Sequence, residues 1–231
     1  MLIFLDFDGV IVDSIEECYV VSRETYYGYA KFPYDEESYR RSFYQFRGLV
    51  RPTYEYMGLH CALEQMYNGS KDTVEELFHR EKEVIDINTK ESFEEKFFFA
   101  RSIYIDRSFK KWIRMNPLTE FGKTLVGKKN PKKYIITTKN REATEVILNH
   151  YNISVSGVYT NNEIKSAGSK GKLISKIMNN KNEKQAIFVD DAVEHLDTVD
   201  DERVKCYFAN WGYGKNNRHQ VFHQKIWAEY I

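Results

Sequence analysis

The chain begins with a short apolar run, Leu2-Ile-Phe-Leu5, that stops at Asp6. A run this short, closed by polar residues and a glycine, predicts a strand buried on both faces rather than a helix. Ser14-Ile-Glu-Glu17 fits a capping box, opening a helix expected to reach about Tyr27. From there to about residue 116, apolar residues recur at mixed three- and four-residue spacings, as in DTVEELFHREKEVI and SFEEKFFFARSIYI. That spacing predicts helices almost throughout. Within this stretch Pro52 suits a helix start and Asn68-Gly69 a helix stop.

After Asn116-Pro117 the period shortens and then alternates. LTEFGKTLVG predicts a helix closed by Gly127, KKYIITTK a strand and NREATEVILNHY a helix. SGVYTN predicts a strand, GKLISKIMNN a helix, QAIFVDDA a strand, AVEHLDTV a short helix and RVKCYFAN a last strand. WGYGKNNRHQ then predicts a loop before a final amphipathic segment, VFHQKIWAEYI. Strands alternating with helices predict an α/β domain, a parallel sheet with helices on both faces. The expected architecture is thus an α/β core from residues 1–14 and 117–231, interrupted by a helical insertion over 15–116.

Composition narrows the options. Of 231 residues, 42% are hydrophobic and 29% charged, which suits a folded chain with a core. Basic and acidic residues number 34 each, so there is no basic excess to drive nucleic-acid binding. Aromatics reach 15%, a share that predicts aromatic-rich helix packing before it predicts a stacking surface for a ligand. Cys18, Cys61 and Cys206 are scattered and odd in number, a pattern of free thiols in a reducing compartment. The start of the chain lacks a basic segment and nothing approaches the ~20 apolar residues of a membrane span. The expectation is a cytoplasmic protein acting without membrane or nucleic acid.

In parallel sheets ligands gather at the carboxyl ends of the strands. Those ends here carry Asp6 and Asp8, Thr137 and Thr138, and Asp190 and Asp191. Two carboxylate clusters at adjacent strand ends make a hard oxygen site suited to Mg²⁺, which also offsets their mutual repulsion. A carboxylate beside such an ion can attack phosphorus, and a second can supply and remove a proton. A hydroxyl can hold phosphoryl oxygens while a lysine neutralises charge. None of these segments is specific alone; their order carries the weight.

In that order DFDGV, IITT, a lysine near GSKGK and FVDDA resemble the four signature segments of the haloacid dehalogenase (HAD) superfamily of phosphohydrolases. The resemblance implies a Rossmann-like core with Asp6 as nucleophile and metal ligand, and Asp8 as general acid/base with its carbonyl on Mg²⁺. Thr137 becomes the phosphate-binding hydroxyl, with Thr138 beside it, and Asp191 the acidic metal ligand, with Asp190 as ligand or neighbour. The active-site lysine is Lys170 by this pattern, with Lys172 and Lys165 as other options. A helical insertion at this place resembles the C1 cap of the phosphoglycolate phosphatase and β-phosphoglucomutase branch. FRGLVRP then looks like the cap's specificity loop, making Arg47, Gly48 and Arg51 candidates for the substrate side.

The resemblance implies a Mg²⁺-dependent phosphatase forming an aspartyl phosphate on a small phosphorylated metabolite. A phosphomutase uses the same two aspartates, and a scaffold binding through its aromatic cap without turnover is a third reading. Dehalogenation is disfavoured, because the family's dehalogenases lack the second aspartate that stands here as Asp8.

Overall fold

A computed structural model describes residues 1–28, 31–128, 132–216 and 218–223. The chain divides into two compact units, Met1–Ser14 with Asn116–Ile231, and Ile15–Met115.

The first unit is built on a sheet of five strands: β1 (Leu2–Leu5), β2 (Lys133–Ile136), β3 (Gly157–Tyr159), β4 (Ala186–Asp190) and β5 (Val204–Phe208). All are parallel, in the order β3-β2-β1-β4-β5. The three central strands are buried along their whole length, which is why they are apolar without alternation apart from Lys133 at the start of β2 and Asp190 at the end of β4. Leu5 pairs with Ile135 on one side and Val189 on the other, so β1, β2 and β4 end almost level. The residues that follow them are therefore brought to one edge.

Helices of this unit are α6 (Glu120–Lys123), α7 (Arg141–His150), α8 (Asn161–Ala167), α9 (Lys170–Asn180) and α10 (Val193–Leu196), after five helices of the second unit. Leu173, Ile174, Ile177 and Met178 of α9 and Leu196 of α10 pack with Phe4, Ile136 and Phe188 from the sheet. One expectation changes here: LTEFGKTLVG forms only the single turn α6, followed by turns as far as Gly127. The stretch after β3, to which the sequence pattern assigns no element, is helix α8, started by a Thr160/Glu163 capping box.

The second unit is helical: α1 (Ile15–Tyr27), α2 (Glu36–Phe46), α3 (Glu55–Tyr67), α4 (Val74–Val84) and α5 (Ile87–Arg114), with a 3-10 turn over Arg47–Leu49. Helix α3 starts three residues past Pro52, which lies in the preceding turn, and ends at Asn68-Gly69. Thr73 and Glu76 cap α4, and Asp86 caps α5. Tyr19, Tyr39, Phe43, Tyr56, Phe78, Phe93 and Phe97 form its core, so the chain's aromatic excess is spent largely on packing. His60, fully buried, lies with Nε2 2.9 Å from Ser22 Oγ and Nδ1 2.9 Å from the Tyr39 hydroxyl. Burial, with the nearby charge of Arg23, pushes its pKa down to about 3. The Glu17 carboxylate accepts from Arg101, at 2.6 Å from Nε and 3.0 Å from a terminal nitrogen.

The segments leading out of and back into the first unit run side by side. Val12 bridges Leu118 in antiparallel fashion, Asp13 N–H donates to the Pro117 carbonyl (2.8 Å), and Thr119 N–H donates to that of Ile11 (3.0 Å). Asn116 belongs with this unit, where the Tyr151 hydroxyl donates to its carbonyl. Of the final segment VFHQKIWAEYI, residues 224–231 lie outside the described residues.

Candidate active site

Asp6 is the first residue past β1, its N–H donating to Val189 across the ladder (2.9 Å). The chain then turns at once. Ile11 and Val12 N–H both donate to the Phe7 carbonyl, and Gly9 takes φ +81, a conformation that disfavours any side chain. A Cβ at Gly9 would also stand 2.4 Å from Asp191 Oδ2. The DFDG turn thus packs directly on the aspartate pair that follows β4.

Lys170 opens α9 behind the cap residue Ser169, and its ammonium is buried between two carboxylates. Nζ lies 2.7 Å from Asp6 Oδ1 and 2.8 Å from Asp190 Oδ2. Asp190 is further held by Ala192 N–H on Oδ1 (2.8 Å) and by His195, whose Nδ1 is 3.2 Å from Oδ2. Asp191 Oδ2 accepts from Tyr213 N–H at 2.6 Å. One carboxylate oxygen each from Asp6, Asp190 and Asp191 lie within 4.8 Å of one another, all three residues being buried.

The second half of the site surrounds Asp8. Lys139, whose side chain has no solvent exposure, places Nζ 3.1 Å from Asp8 Oδ1. Its backbone N–H donates to Thr137 Oγ1 (3.1 Å), and Thr137 is itself buried one residue beyond β2. Thr138 is half-buried beside it. Asp6 therefore pairs with a lysine reached from the β4 side, and Asp8 with one reached from the β2 side.

The electrostatics follow from this crowding. Burial pushes the Asp6 carboxyl well above its ordinary range; Lys170 opposes this, while the charges of Asp190 and Asp191 add to it. Burial works in the same direction on Asp190, but Lys170 and His195 outweigh it and hold that carboxyl low. Lys170 is held above its ordinary value by the two aspartates, against the effect of its own burial.

Asp6, Asp190, Asp191 and Lys170 meet in one cluster, and Asp8, Thr137 and Lys139 in its neighbour. Lys165 and Lys172 are exposed on α8 and α9. Arg47, Gly48 and Arg51 belong to the helical unit. There the Arg47 guanidinium donates to the Val50 carbonyl (3.1 Å) and lies over the Tyr56 ring, and Arg51 donates to the carbonyls of Gly48 and Val50.

Three residues of the site were not foreseen. Lys139 closes the TTK run at a strand end, and the rule that nominated Thr137 would have nominated it as well. His195 stands one turn after Asp191, a weaker signal. Tyr213 acts on Asp191 through its backbone, which leaves no trace in side-chain chemistry.

No family model and no curated protein matches the chain. Solved structures do match it along nearly its whole length. A haloacid dehalogenase-like family hydrolase from Streptococcus pneumoniae is 16% identical with a TM-score of 0.54, over 99% of this chain and 97% of its own. A Lactobacillus delbrueckii subsp. bulgaricus protein, provisionally named a phosphoglycolate phosphatase, is 12% identical with a TM-score of 0.64, covering 100% and 97%. A provisionally named phosphatase from Clostridium difficile is 16% identical with a TM-score of 0.61, covering 99% and 97%. The chain has the fold of the haloacid dehalogenase-like hydrolases.

Proposed function

We propose that this protein is a Mg²⁺-dependent phosphatase that hydrolyses a small phosphorylated metabolite through a phosphorylated Asp6. The observation that carries the reading is the buried cluster of Asp6, Asp190 and Asp191 around Lys170, beside Asp8 on Lys139.

The charge count suits a divalent cation. Four aspartates face two lysine ammoniums and the His195 ring, so acidic groups outnumber basic ones in a poorly solvated place. The donors are hard oxygens, which fit Mg²⁺. Asp6, Asp191 and Asp190 would hold the ion, with the Asp8 carbonyl beside it. Once bound, it would offset charge on the transferring phosphoryl group.

The chain's own residues divide the remaining work. An Asp6 carboxylate oxygen attacks phosphorus as the P–O bond to the substrate alcohol breaks. Asp8, with Lys139 on Oδ1, carries a proton on Oδ2 and gives it to the departing oxygen. Water then attacks the phosphorus, Asp8 takes its proton back, and the Asp6–phosphorus bond breaks to release phosphate. Thr137 and Lys170 hold phosphoryl oxygens and neutralise their charge. To the helical unit we assign the choice of substrate, with Arg47, Gly48 and Arg51 as its candidate residues.

Phosphate release from a panel of phosphorylated metabolites, with Mg²⁺ and with EDTA, tests the reading. Asp6→Asn should fold normally by circular dichroism and lose roughly 10³-fold or more in kcat/KM. Turnover that survives in Asp6→Asn, or that ignores EDTA, would overturn it. Phosphate moved within one sugar without release would favour a mutase instead.

A further inference from the structure

The loop after β5, Trp211-Gly-Tyr-Gly214, touches both halves of the site's backbone and is not used in the chemistry above. A Cβ on Gly212 would stand 2.3 Å from Asp191 Cβ and 2.5 Å from its Oδ2; one on Gly214 would stand 1.9 Å from the Asp191 carbonyl. Both contacts are too close for any side chain, so this loop is moulded around one residue, Asp191. Trp211 fastens its start, donating from Nε1 to the Val10 carbonyl (3.0 Å) and packing on Phe121.

Tyr213 is the element with two attachments. Its backbone N–H is the donor that Asp191 Oδ2 accepts, at 2.6 Å. Its hydroxyl accepts from the Ser14 N–H at 2.7 Å and donates to Asp13 Oδ1 at 3.1 Å. Ser14 is the last residue of the α/β unit before the helical one. The ring crosses the Gly9 turn, where an added Cβ would meet Tyr213 Cδ2 at 3.2 Å. A hydroxyl that both accepts and donates fixes the ring, and the ring fixes the backbone N–H that aims the Asp191 carboxylate.

We infer that Tyr213 is a positioning residue: its hydroxyl, anchored on Asp13 and Ser14, holds the glycine loop that orients Asp191 toward the cation. The inference rests on the reading of Asp6, Asp190 and Asp191 as a divalent-cation site, and extends it to the chain segment at which the insertion begins. Partners behind a metal ligand typically govern about 10- to 100-fold in metal affinity. Tyr213→Phe removes only the hydroxyl. Gly212→Ala drives a methyl into Asp191 directly.

The test is Mn²⁺ binding to the full-length protein, followed by electron paramagnetic resonance, with hydrogen exchange of the Ser14 amide as a second, metal-free measurement. Tyr213→Phe should weaken Mn²⁺ by about 10-fold and Gly212→Ala by more, up to about 100-fold. The Ser14 amide should exchange faster in Tyr213→Phe, having lost its bond to the tyrosine oxygen. Raised Mg²⁺ should restore the kcat of Tyr213→Phe, which a general loss of packing would not allow. Wild-type affinity in Tyr213→Phe, or an unchanged Ser14 amide, overturns the inference while leaving the phosphatase reading intact. A wild-type protein that binds no Mn²⁺ overturns both.

Discussion

The two units each bury ionic groups, but they balance them differently. In the helical unit Glu17 and Arg101 form a bidentate pair, with the Trp112 indole N–H 3.5 Å from Glu17. One negative charge meets one positive charge among aromatic neighbours, with Arg101 also lying over Phe97. At the strand ends of the α/β unit, by contrast, four aspartates, Asp6, Asp8, Asp190 and Asp191, gather around Lys139, Lys170 and the His195 ring, so acidic groups outnumber basic ones. A closed pair needs nothing further and serves the fold. An open one is tolerable only where a ligand completes it, and so marks a place of chemistry.

The sharpest way to break this comparison is to open the closed pair. Arg101→Met should leave Glu17 charged and alone in the aromatic core, costing about 3–5 kcal/mol in urea unfolding. Glu17→Gln combined with Arg101→Met should recover much of that loss. If Arg101→Met costs no more than an exposed substitution, the pair is not closed in the sense argued above.

Closing the open cluster is the converse test. Mg²⁺ at 100 times its dissociation constant should stabilise the folded chain by about 2.7 kcal/mol, read as a higher unfolding midpoint. Asp191→Asn should abolish most of that response. An equal response in both proteins would place the ion elsewhere.

A smaller effect belongs to His60. Its pKa in the fold is about 3 against an ordinary 6.5, so the folded protein refuses a proton that the unfolded chain accepts. Above pH 6.5 neither state binds it and His60 costs nothing. Between about 6.5 and 3 only the unfolded chain binds it, so stability falls as pH falls, by up to ~1.4 kcal/mol per pH unit. Comparing stability against pH for wild type and His60→Gln should show this slope flattened in the variant.

The contrast between the units also explains what could be read from the sequence. The sheet was legible because the three buried strands are apolar through their middles and because polar residues fall at their matching ends. Asp6, Asp8, Asp190, Asp191 and Lys170, nominated by that logic and by a resemblance in the order of their segments, do come together at the strand ends. Lys139 escaped because a lysine beside two threonines looks like a solvated loop until a partner 131 positions away is known. Tyr213 escaped because its bond to Asp191 is made by the backbone. Helix α8 is too short for a strong apolar period, although Thr160 and Glu163 spell out its start. In the helical unit the helices were legible from periodicity, but the ion pair of Glu17 with Arg101, 84 positions on, left no local signal.

The antiparallel bridge between Val12 and Leu118 also bears on how much the intervening segment can vary. It holds the two ends of that segment next to each other. Joining ends held in place depends only weakly on what lies between them, at about 0.6 kcal/mol for each doubling of length. Ile15–Met115 can therefore change in length as a single cassette at little cost to the closure of those ends. A synthetic version with that cassette replaced by a short turn should still assemble the five-stranded sheet.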